Sequence, residues 1–388
     1  MQPFTFNTVA SVVSGNGEAL KLAAHCARLG IENVLLVTDP GLVSIGLIGP
    51  VQNALGAAGI SVTLFAKVSE DPPEAVVLAA AVAGKAAGAD GVIAVGGGSS
   101  MDVAKVAAAL LCSDQPLADM YGVEQVAGGR LPLILVPTTA GTGSEVTPVA
   151  VITTGETTKA GVSSSVLLPD IAVLDADLTL GLPPKITAMT GVDAMVHAIE
   201  AYTSRIKKNP VSDNLARSAL ALLSRNIRTA VHDGRQRDAR GAMLLGAMQA
   251  GQAFANAPVA AVHALAYPLG GHYHIPHGLS NSLVLPAVLR FNLPDAVSLY
   301  AELAELVVGA PVTGSEEARA EALIAALEAV IDELSLPATL TEAGVREDSL
   351  ETLAQDAMLQ TRLLVNNPRD VSYDDALGIY RSAFRASP

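Results

Sequence analysis

Aromatic side chains are scarce in this sequence: Phe, Tyr and Trp make up 3% of its 388 residues, and tryptophan is absent. Because half of the residues are nevertheless hydrophobic, Ala, Val and Leu must fill the interior, and small side chains suit close helix packing. This hydrophobic content excludes intrinsic disorder. One hydrophobic core usually stops growing at roughly 250–300 residues, so the chain length predicts two domains.

Basic residues are also few. Lys and Arg number 24 against 38 Asp and Glu, which gives a formal net charge of −14, and no basic run exceeds the pair Lys207-Lys208. Nucleic acids and anionic membranes are recognised through basic patches. We therefore expect neither of them as a partner.

Cysteines, a signal sequence and long apolar runs are missing or nearly so. Cys26 and Cys112 show no CxxC or zinc-ligand spacing, which is typical of reduced thiols in the cytosol. Residues 1–15 lack the basic start and apolar core of a signal peptide. Lys85 and Asp90 interrupt the Ala-rich stretch of the first half, so we expect no membrane-spanning run. These absences predict a soluble, cytoplasmic protein.

The first half of the chain alternates short β-branched runs with Ala-rich stretches. The runs at 33–39, 61–67, 91–97 and 131–139 predict buried strands, and the stretches at 17–30, 46–59 and 73–88 predict helices ended by Gly. Such alternation implies a parallel sheet covered on both faces.

The pattern changes at Pro183-Pro184. After it, helical periodicities dominate, at 187–204, 212–231, 238–256 and 315–334. The predicted fold is therefore an α/β domain with a Rossmann-like parallel sheet over residues 1–180, followed by an all-helical domain over residues 181–388.

A glycine-rich stretch, GVIAVGGGSSMDVAK, occupies residues 91–105. It joins an apolar strand to a helical run, and such a turn lets the backbone approach an anion at a helix N-terminus. The stretch differs from GxGxxG and from GxxxxGK[ST], so kinase or ATPase chemistry is disfavoured. A dinucleotide pyrophosphate is favoured over a plain tight turn.

Two further features suit a nucleotide site. Asp39 ends an apolar strand, where a carboxylate can bind ribose hydroxyls and repel a 2′-phosphate, which favours NAD over NADP. The alternative is a turn-forming Asp before Pro40. The segment PTTAGTGSEVT (137–147) is dense in small hydroxyls; it either contacts phosphates and the nicotinamide ribose or is only a loop.

Four residues form a possible metal site. Asp193 and His197 stand four apart in a helical pattern, where they could hold one cation or hydrogen-bond each other. His263 lies in an apolar helical stretch and His277 in a turn before another one; each alone is more often a core residue than a ligand. Together, one oxygen and three nitrogens suit Fe²⁺ or Zn²⁺ rather than Ca²⁺ or Mg²⁺.

Five stretches resemble motifs of the metal-dependent (group III, iron-containing) alcohol dehydrogenases. They are GGGSSMDVAK, similar to GGGSxxDxAK; PTTAGTGSE, similar to PTTxGTGSE; LPDIAVLDADLTLGLPP; TGVDAMVHAIEAY, similar to GxDAxxHAxEAY; and HALAYPLGGHYHIPHG, similar to HxxAHxxGxxxxxPHG. They follow the family's order and extend over nearly the whole chain.

The resemblance implies a fold shared with glycerol dehydrogenase and dehydroquinate synthase, with the metal in the cleft between domains. It implies that Asp193, His197, His263 and His277 bind Fe²⁺, or alternatively Zn²⁺. The positions that match the family's NAD contacts are Asp39, Gly97, Gly98, Ser99, Thr138, Thr139, Thr147 and Lys159. Without the resemblance, Lys159 would be interpreted as a surface lysine.

The sequence departs from the family pattern at two positions. Tyr267 replaces a frequent second His four residues after the third metal ligand, either as a proton relay or as a residue that shapes the pocket. Asp71 replaces the Asn of an NPT turn near the adenosine site. For His272 and His274 the family implies no fixed role, and we expect one to line the pocket and the other to face solvent.

The sequence thus predicts an NAD- and metal-dependent alcohol dehydrogenase that reversibly transfers a hydride between a small alcohol and its aldehyde or ketone. The metal acts as a Lewis acid on the substrate oxygen, and no side chain need act as a nucleophile. The Ala-rich helices are compatible with a homodimer or larger homo-oligomer.

Three enzymatic functions and one non-catalytic function compete with this prediction. A hydroxyacid–oxoacid transhydrogenase, a maleylacetate-reductase-like enzyme and a dehydroquinate-synthase-like lyase all act on anionic substrates. Each predicts cationic pocket residues, yet segments 187–202 and 254–283 contain no Lys or Arg. A non-catalytic nucleotide-binding protein predicts broken ligand positions, whereas all four are intact.

Overall fold

The computed structural model describes residues 3–155 and 158–384. By their contacts these residues divide into two compact units. The α/β unit consists of residues 7–181, and the helical unit consists of residues from 182 onward together with the first residues of the chain, up to Phe6.

The α/β unit alternates strands and helices. Its strands are β1 (Ser11–Ser14), β2 (Asn33–Val37), β3 (Ser61–Phe65), β4 (Gly91–Gly96), β5 (Gly122–Val123), β6 (Leu133–Pro137), β7 (Val149–Thr154), β8 (Thr158–Ser163) and β9 (Ile171–Leu174). Its helices are α1 (Leu22–Leu29), α2 (Pro40–Ser44), α3 (Ile48–Ala57), α4 (Glu74–Ala86) and α5 (Gly98–Leu110).

A parallel sheet in the order β1-β9-β6-β4-β2-β3 forms the centre of this unit. Along β4, Val92 and Ala94 belong to one hydrophobic core and Ile93 and Val95 to the other. A strand buried on both faces requires such a continuous apolar run. The predicted parallel sheet, covered on both faces, is therefore confirmed.

A second, smaller sheet was not predicted. It has the order β5-β8-β7, with β7 and β8 antiparallel. The short strands β1 and β9 also escaped prediction, because four-residue segments carry little periodicity. The predicted helix at 17–30 begins instead as a 3-10 turn, Glu18–Lys21, and only then continues as α1.

The helical unit confirms the predicted all-α architecture. Its helices are α6 (Pro184–Thr203), α7 (Pro210–His232), α8 (Arg237–Asn256), α9 (Ala261–Tyr273), α10 (His277–Val308), α11 (Glu316–Glu333), α12 (Leu350–Met358), α13 (Thr361–Leu364) and α14 (Tyr373–Phe384). Helix α6 is central: it packs against α7, α8 and α10, and its residues from Val192 to Thr203 are all buried.

Helix α10 is long and apolar enough to cross a membrane, by length and composition only. It carries Pro286 and Pro294 in its interior and packs against α6, α7, α9, α11 and α14. The core helices of soluble proteins pass the same test, so this feature is only weak support for a membrane segment.

Candidate functional site

The four predicted metal ligands come together within the helical unit. Asp193 and His197 lie one turn apart on α6, His263 lies in the first turn of α9, and His277 is the first residue of α10. One ligand atom from each side chain lies within 4.8 Å of the other three. Asp193, His197 and His263 are at most 5% exposed, so three of the four candidate ligands are buried.

The ligand atoms surround the Asp193 carboxylate. Its Oδ1 lies 4.0 Å from the Nε2 of His197, 3.9 Å from that of His263 and 3.7 Å from that of His277. Atoms bound about 2.1 Å from one transition metal lie roughly 3.0–3.4 Å apart. The four ligand atoms lie within 4.8 Å of one another, so shifts on the order of 1 Å would bring them into coordination distance.

The charge balance of the site also fits a cation. Burial by itself would raise the pKa of Asp193, but the three imidazoles and the Asn281 amide outweigh it and hold that pKa below its usual value. In segments 187–202 and 254–283 the only charged side chains are Asp193 and Glu200. Two carboxylates with neutral imidazoles match the charge of one divalent ion.

Two residues at this site were missed by sequence reasoning. Asn281, one turn after His277, donates from Nδ2 to Asp193 Oδ1 at 2.6 Å. Glu200, one turn after His197, accepts from the backbone N–H of Val262 at 2.7 Å and lies 2.6 Å from the Nδ1 of His263. A lone Glu in an otherwise apolar stretch of helix was the available signal for the second of them.

Gly278 allows α10 to begin against α6. A Cβ at this position would lie 2.4 Å from the carbonyl oxygen of Met189 and 3.3 Å from the Cβ of Asp193. Any side chain there would push the start of α10, and with it His277, away from Asp193. The glycine of the PHG sequence therefore has a steric cause.

Aromatic rings flank the imidazoles. Phe254 stacks on His197 with ring centroids 4.4 Å apart, and Tyr267 lies 5.8 Å from His277. The side chain of His277 is 36% exposed, so the cluster is accessible on the His277 and Tyr267 side. His272 and His274 are both exposed and lie outside the cluster: His272 pairs with Asp356 at 2.6 Å, and His274 ends α9 with a φ of 54°.

Several of the predicted nucleotide residues lie at the carboxyl edge of the large sheet. Gly97 and Gly98 begin α5 directly after β4, while Thr138 and Thr139 follow the neighbouring strand β6. A Cβ on Gly98 would lie 2.8 Å from Thr142, so the two loops touch. Ligands of open α/β sheets bind at this edge, and α5 presents its N-terminus there.

A buried ion pair ties the second loop to α5. The Nζ of Lys105 donates to Ser144 Oγ at 2.7 Å, to Thr147 Oγ1 at 3.2 Å and to the Val149 carbonyl at 2.8 Å. Asp102, 3.8 Å from Lys105, accepts from Ser144 Oγ at 2.6 Å. Burial lowers the pKa of Lys105 to about 8, although nearby carboxylates oppose the shift.

Asp39 and Lys159 have other partners in the structure. Asp39 is the N-cap of α2 and accepts from the backbone N–H of Leu42 at 3.0 Å, which is the turn-forming role considered above. Lys159 pairs with Asp71 at 2.6 Å. The Asp71 that departs from the family pattern thus meets a predicted cofactor residue. Ser99 lies in the first turn of α5 and is half-buried.

Comparison with known proteins places both units in one group. Residues 10–176 match the family described as "Iron-containing alcohol dehydrogenase", and residues 187–384 match "Fe-containing alcohol dehydrogenase family, C-terminal". The chain is 41% identical over 373 residues to "Long-chain-alcohol dehydrogenase 1" of Geobacillus thermodenitrificans, covering 95% of this chain and 94% of that one.

Two solved structures are similar over almost the whole length. A 1,3-propanediol oxidoreductase has a TM-score of 0.95 and 35% identity, covering 99% of this chain and 100% of its own. The sulfoacetaldehyde reductase of Bifidobacterium kashiwanohense, solved with NAD+, has a TM-score of 0.87 and 29% identity, covering 98% of each chain.

Proposed function

The chain belongs to the iron-containing alcohol dehydrogenase family, and we propose that its four clustered side chains bind the catalytic metal. It is an NAD- and metal-dependent oxidoreductase of the alcohol dehydrogenase type. The observation that carries the ligand assignment is the convergence of Asp193, His197, His263 and His277 within 4.8 Å. Three imidazoles and one carboxylate suit Fe²⁺, the metal of the family's name, and Zn²⁺ is the alternative.

NAD is proposed to bind at the carboxyl edge of the large sheet. The proposed contacts are Asp39, Gly97, Gly98, Ser99, Thr138, Thr139, Thr147 and Lys159. The N-terminus of α5 supplies backbone N–H groups for the pyrophosphate. The Asp39 carboxylate disfavours a 2′-phosphate, which accounts for NAD rather than NADP.

The reaction removes a hydride and a proton from an alcohol to give an aldehyde or ketone. A divalent cation at the four ligands supplies Lewis-acid polarisation of the alcohol oxygen, and NAD supplies the hydride acceptor. The chain orients these groups: α6, α9 and α10 hold the ligands, while Phe254 and Tyr267 flank them. Tyr267 either relays the proton or shapes the pocket. Tyr267→Phe separates these roles. If Tyr267 relays the proton, the variant should lose the pH dependence of the reaction rate; if Tyr267 only shapes the pocket, that pH dependence should remain.

A small neutral alcohol is the proposed substrate class. The absence of Lys and Arg from segments 187–202 and 254–283 disfavours the hydroxy-acid, maleylacetate and lyase alternatives. A structurally similar protein is nevertheless named for sulfoacetaldehyde, an anionic substrate. Parallel assays with 1-alkanols, 2-hydroxy acids and sulfoacetaldehyde decide between the neutral and anionic classes.

We further propose that residues 1–180 form the dinucleotide-binding domain and residues 181–388 the metal-binding domain of a cytoplasmic homo-oligomer. Support for the location comes from Cys26 and Cys112, which are both unpaired thiols. Light scattering after size-exclusion chromatography measures the assembly.

The decisive experiment compares two histidines of α9. His263→Ala is expected to lose bound metal and dehydrogenase activity together while remaining folded by circular dichroism. His272→Ala, which alters an exposed histidine of the same helix, is the matched control and should keep both. Full activity in His263→Ala would refute the proposed metal centre.

A further inference from the structure

We propose that Glu200 is a positioning residue of the metal site, which selects the ligating tautomer of His263. The inference rests on the proposed metal centre and adds a residue to it. Glu200 is 4% exposed and lies on α6 seven residues after Asp193 and three after His197. One helical face therefore carries two metal ligands and this carboxylate.

The two oxygens of Glu200 have different partners. Oε1 accepts the backbone N–H of Val262, one of the first-turn N–H groups of α9 that have no partner within the helix. Oε2 lies 2.6 Å from the Nδ1 of His263. Because a carboxylate only accepts, Nδ1 must carry a proton, and in the neutral ring the lone pair of His263 is then on Nε2.

Asn281 contacts the other nitrogen of the same ring, Nε2. Its Nδ2 lies 2.6 Å from Asp193 Oδ1, an acceptor, so this nitrogen is the donor end of the amide. The same Nδ2 lies 3.2 Å from the Nε2 of His263 and 3.3 Å from the Nε2 of His277, and its second hydrogen can reach only one of them. This contact is compatible with a lone pair on the Nε2 of His263. The Glu200 contact at Nδ1 is therefore the observation that specifies the tautomer able to bind a metal through Nε2.

Glu200 also completes the charge of the site. It and Asp193 are the only charged side chains in segments 187–202 and 254–283, so one divalent ion balances both. A carboxylate hydrogen-bonded to a ligating His fixes the ring and raises its basicity, and losing such a partner typically weakens metal binding about 10–100-fold.

Glu200→Gln tests this role because it keeps the shape of the side chain but changes one acceptor into a donor. If its oxygen stays on the Val262 N–H, its NH₂ faces Nδ1 and forces the proton of His263 onto Nε2. We expect Co²⁺ affinity of the metal-free protein to fall about 10–100-fold. In ¹⁵N-histidine spectra of the metal-free protein, the His263 signals should switch from the Nδ1–H to the Nε2–H pattern.

Asp356→Asn is the matched control, since Asp356 pairs with His272 at the same 2.6 Å but outside the metal site. It should leave Co²⁺ affinity unchanged. Glu200→Asp is the second variant, in case Glu200→Gln does not fold. Its shorter carboxylate cannot reach both partners, and we expect about tenfold weaker Co²⁺ binding.

The outcomes separate this proposal from the proposed function. If the wild type binds Co²⁺ and His263→Ala does not, the metal centre stands. Wild-type Co²⁺ affinity and an unchanged tautomer in a folded Glu200 variant would then overturn the role of Glu200 alone. If the wild type binds no divalent metal, the proposed function itself fails.

Discussion

The candidate metal centre and the candidate nucleotide site are built from different parts of the chain. In the helical unit, four side chains of α6, α9 and α10 converge so that one candidate ligand atom of each lies within 4.8 Å of the others. In the α/β unit, loops after β2, β4 and β6 offer backbone N–H groups and several small hydroxyls, which share the binding. The first site should therefore fail abruptly when one side chain is changed, and the second should weaken by degrees.

The largest effect is expected from Asp193→Asn, which removes the only charged metal ligand. Losing several kcal/mol of charge stabilisation corresponds to a loss of about 10³-fold in kcat/KM. Metal analysis should find the purified variant nearly metal-free, while NAD binding measured by calorimetry stays within about twofold. If Asp193→Asn kept one metal per chain, the expectation that a single change abolishes metal binding at this site would be wrong.

Gly278→Ala tests whether helix packing sets the metal site. The added methyl would lie 2.4 Å from the Met189 carbonyl, and overpacking of this kind costs about 3 kcal/mol. We expect a lower melting temperature and weaker metal binding. Gly270→Ala is the control, because its Cβ would meet only the Ile275 carbonyl, at an ordinary 3.6 Å. Equal behaviour of the two variants would mean that the close approach does not place His277.

Lys105→Met is expected to affect the other unit alone. It leaves Asp102 buried without its counter-charge, which costs about 3 kcal/mol, and it frees the loop that carries Ser144 and Thr147. NAD affinity should fall about tenfold, or 1.4 kcal/mol, with metal content unchanged. Adding Asp102→Asn should restore part of the stability in denaturant titrations. Loss of metal from Lys105→Met would contradict the expectation that this change affects the α/β unit alone.

The smallest effect is expected at Asp39. Asp39→Asn keeps an oxygen that can cap α2 but removes the charge, so the ratio of kcat/KM with NAD to that with NADP should fall about tenfold. Asp39→Gly should behave similarly, since Gly is a tolerated N-cap. An unchanged ratio in both variants would limit Asp39 to its observed capping of Leu42.

Sequence patterns predicted the class of both units but not every element: α12, α13 and α14 of the helical unit and several strands of the α/β unit were not predicted. The long period of an amphipathic helix identified the segments that became α6, α7, α8 and α11. The strands β1 and β9 have only four residues each, and they pair with each other across almost the whole α/β unit. Local periodicity does not encode such a distant partner. The strands β7 and β8 have six residues each and pair with each other as consecutive strands, and periodicity missed them as well.

At the candidate sites, residue types could be predicted and partners could not. The Asp193–His197 spacing is equally suited to a metal and to a mutual hydrogen bond, and His263 and His277 were predicted as further ligands from the combined donor set and the family resemblance, not from local spacing. Glu200 lies 63 residues from His263 in the sequence, and Lys105 lies 39 from Ser144. No local pattern predicts contacts across such distances.

By itself the amino-acid sequence determined the two architectures, the ligand chemistry and the family, because apolar periodicity and motif spacing are local properties of a chain. The tertiary structure alone decided that four side chains meet, which nitrogen of His263 faces them, and that Lys105 holds the loop of Ser144. These features arise when distant segments pack and buried charges must find partners, since water no longer solvates them.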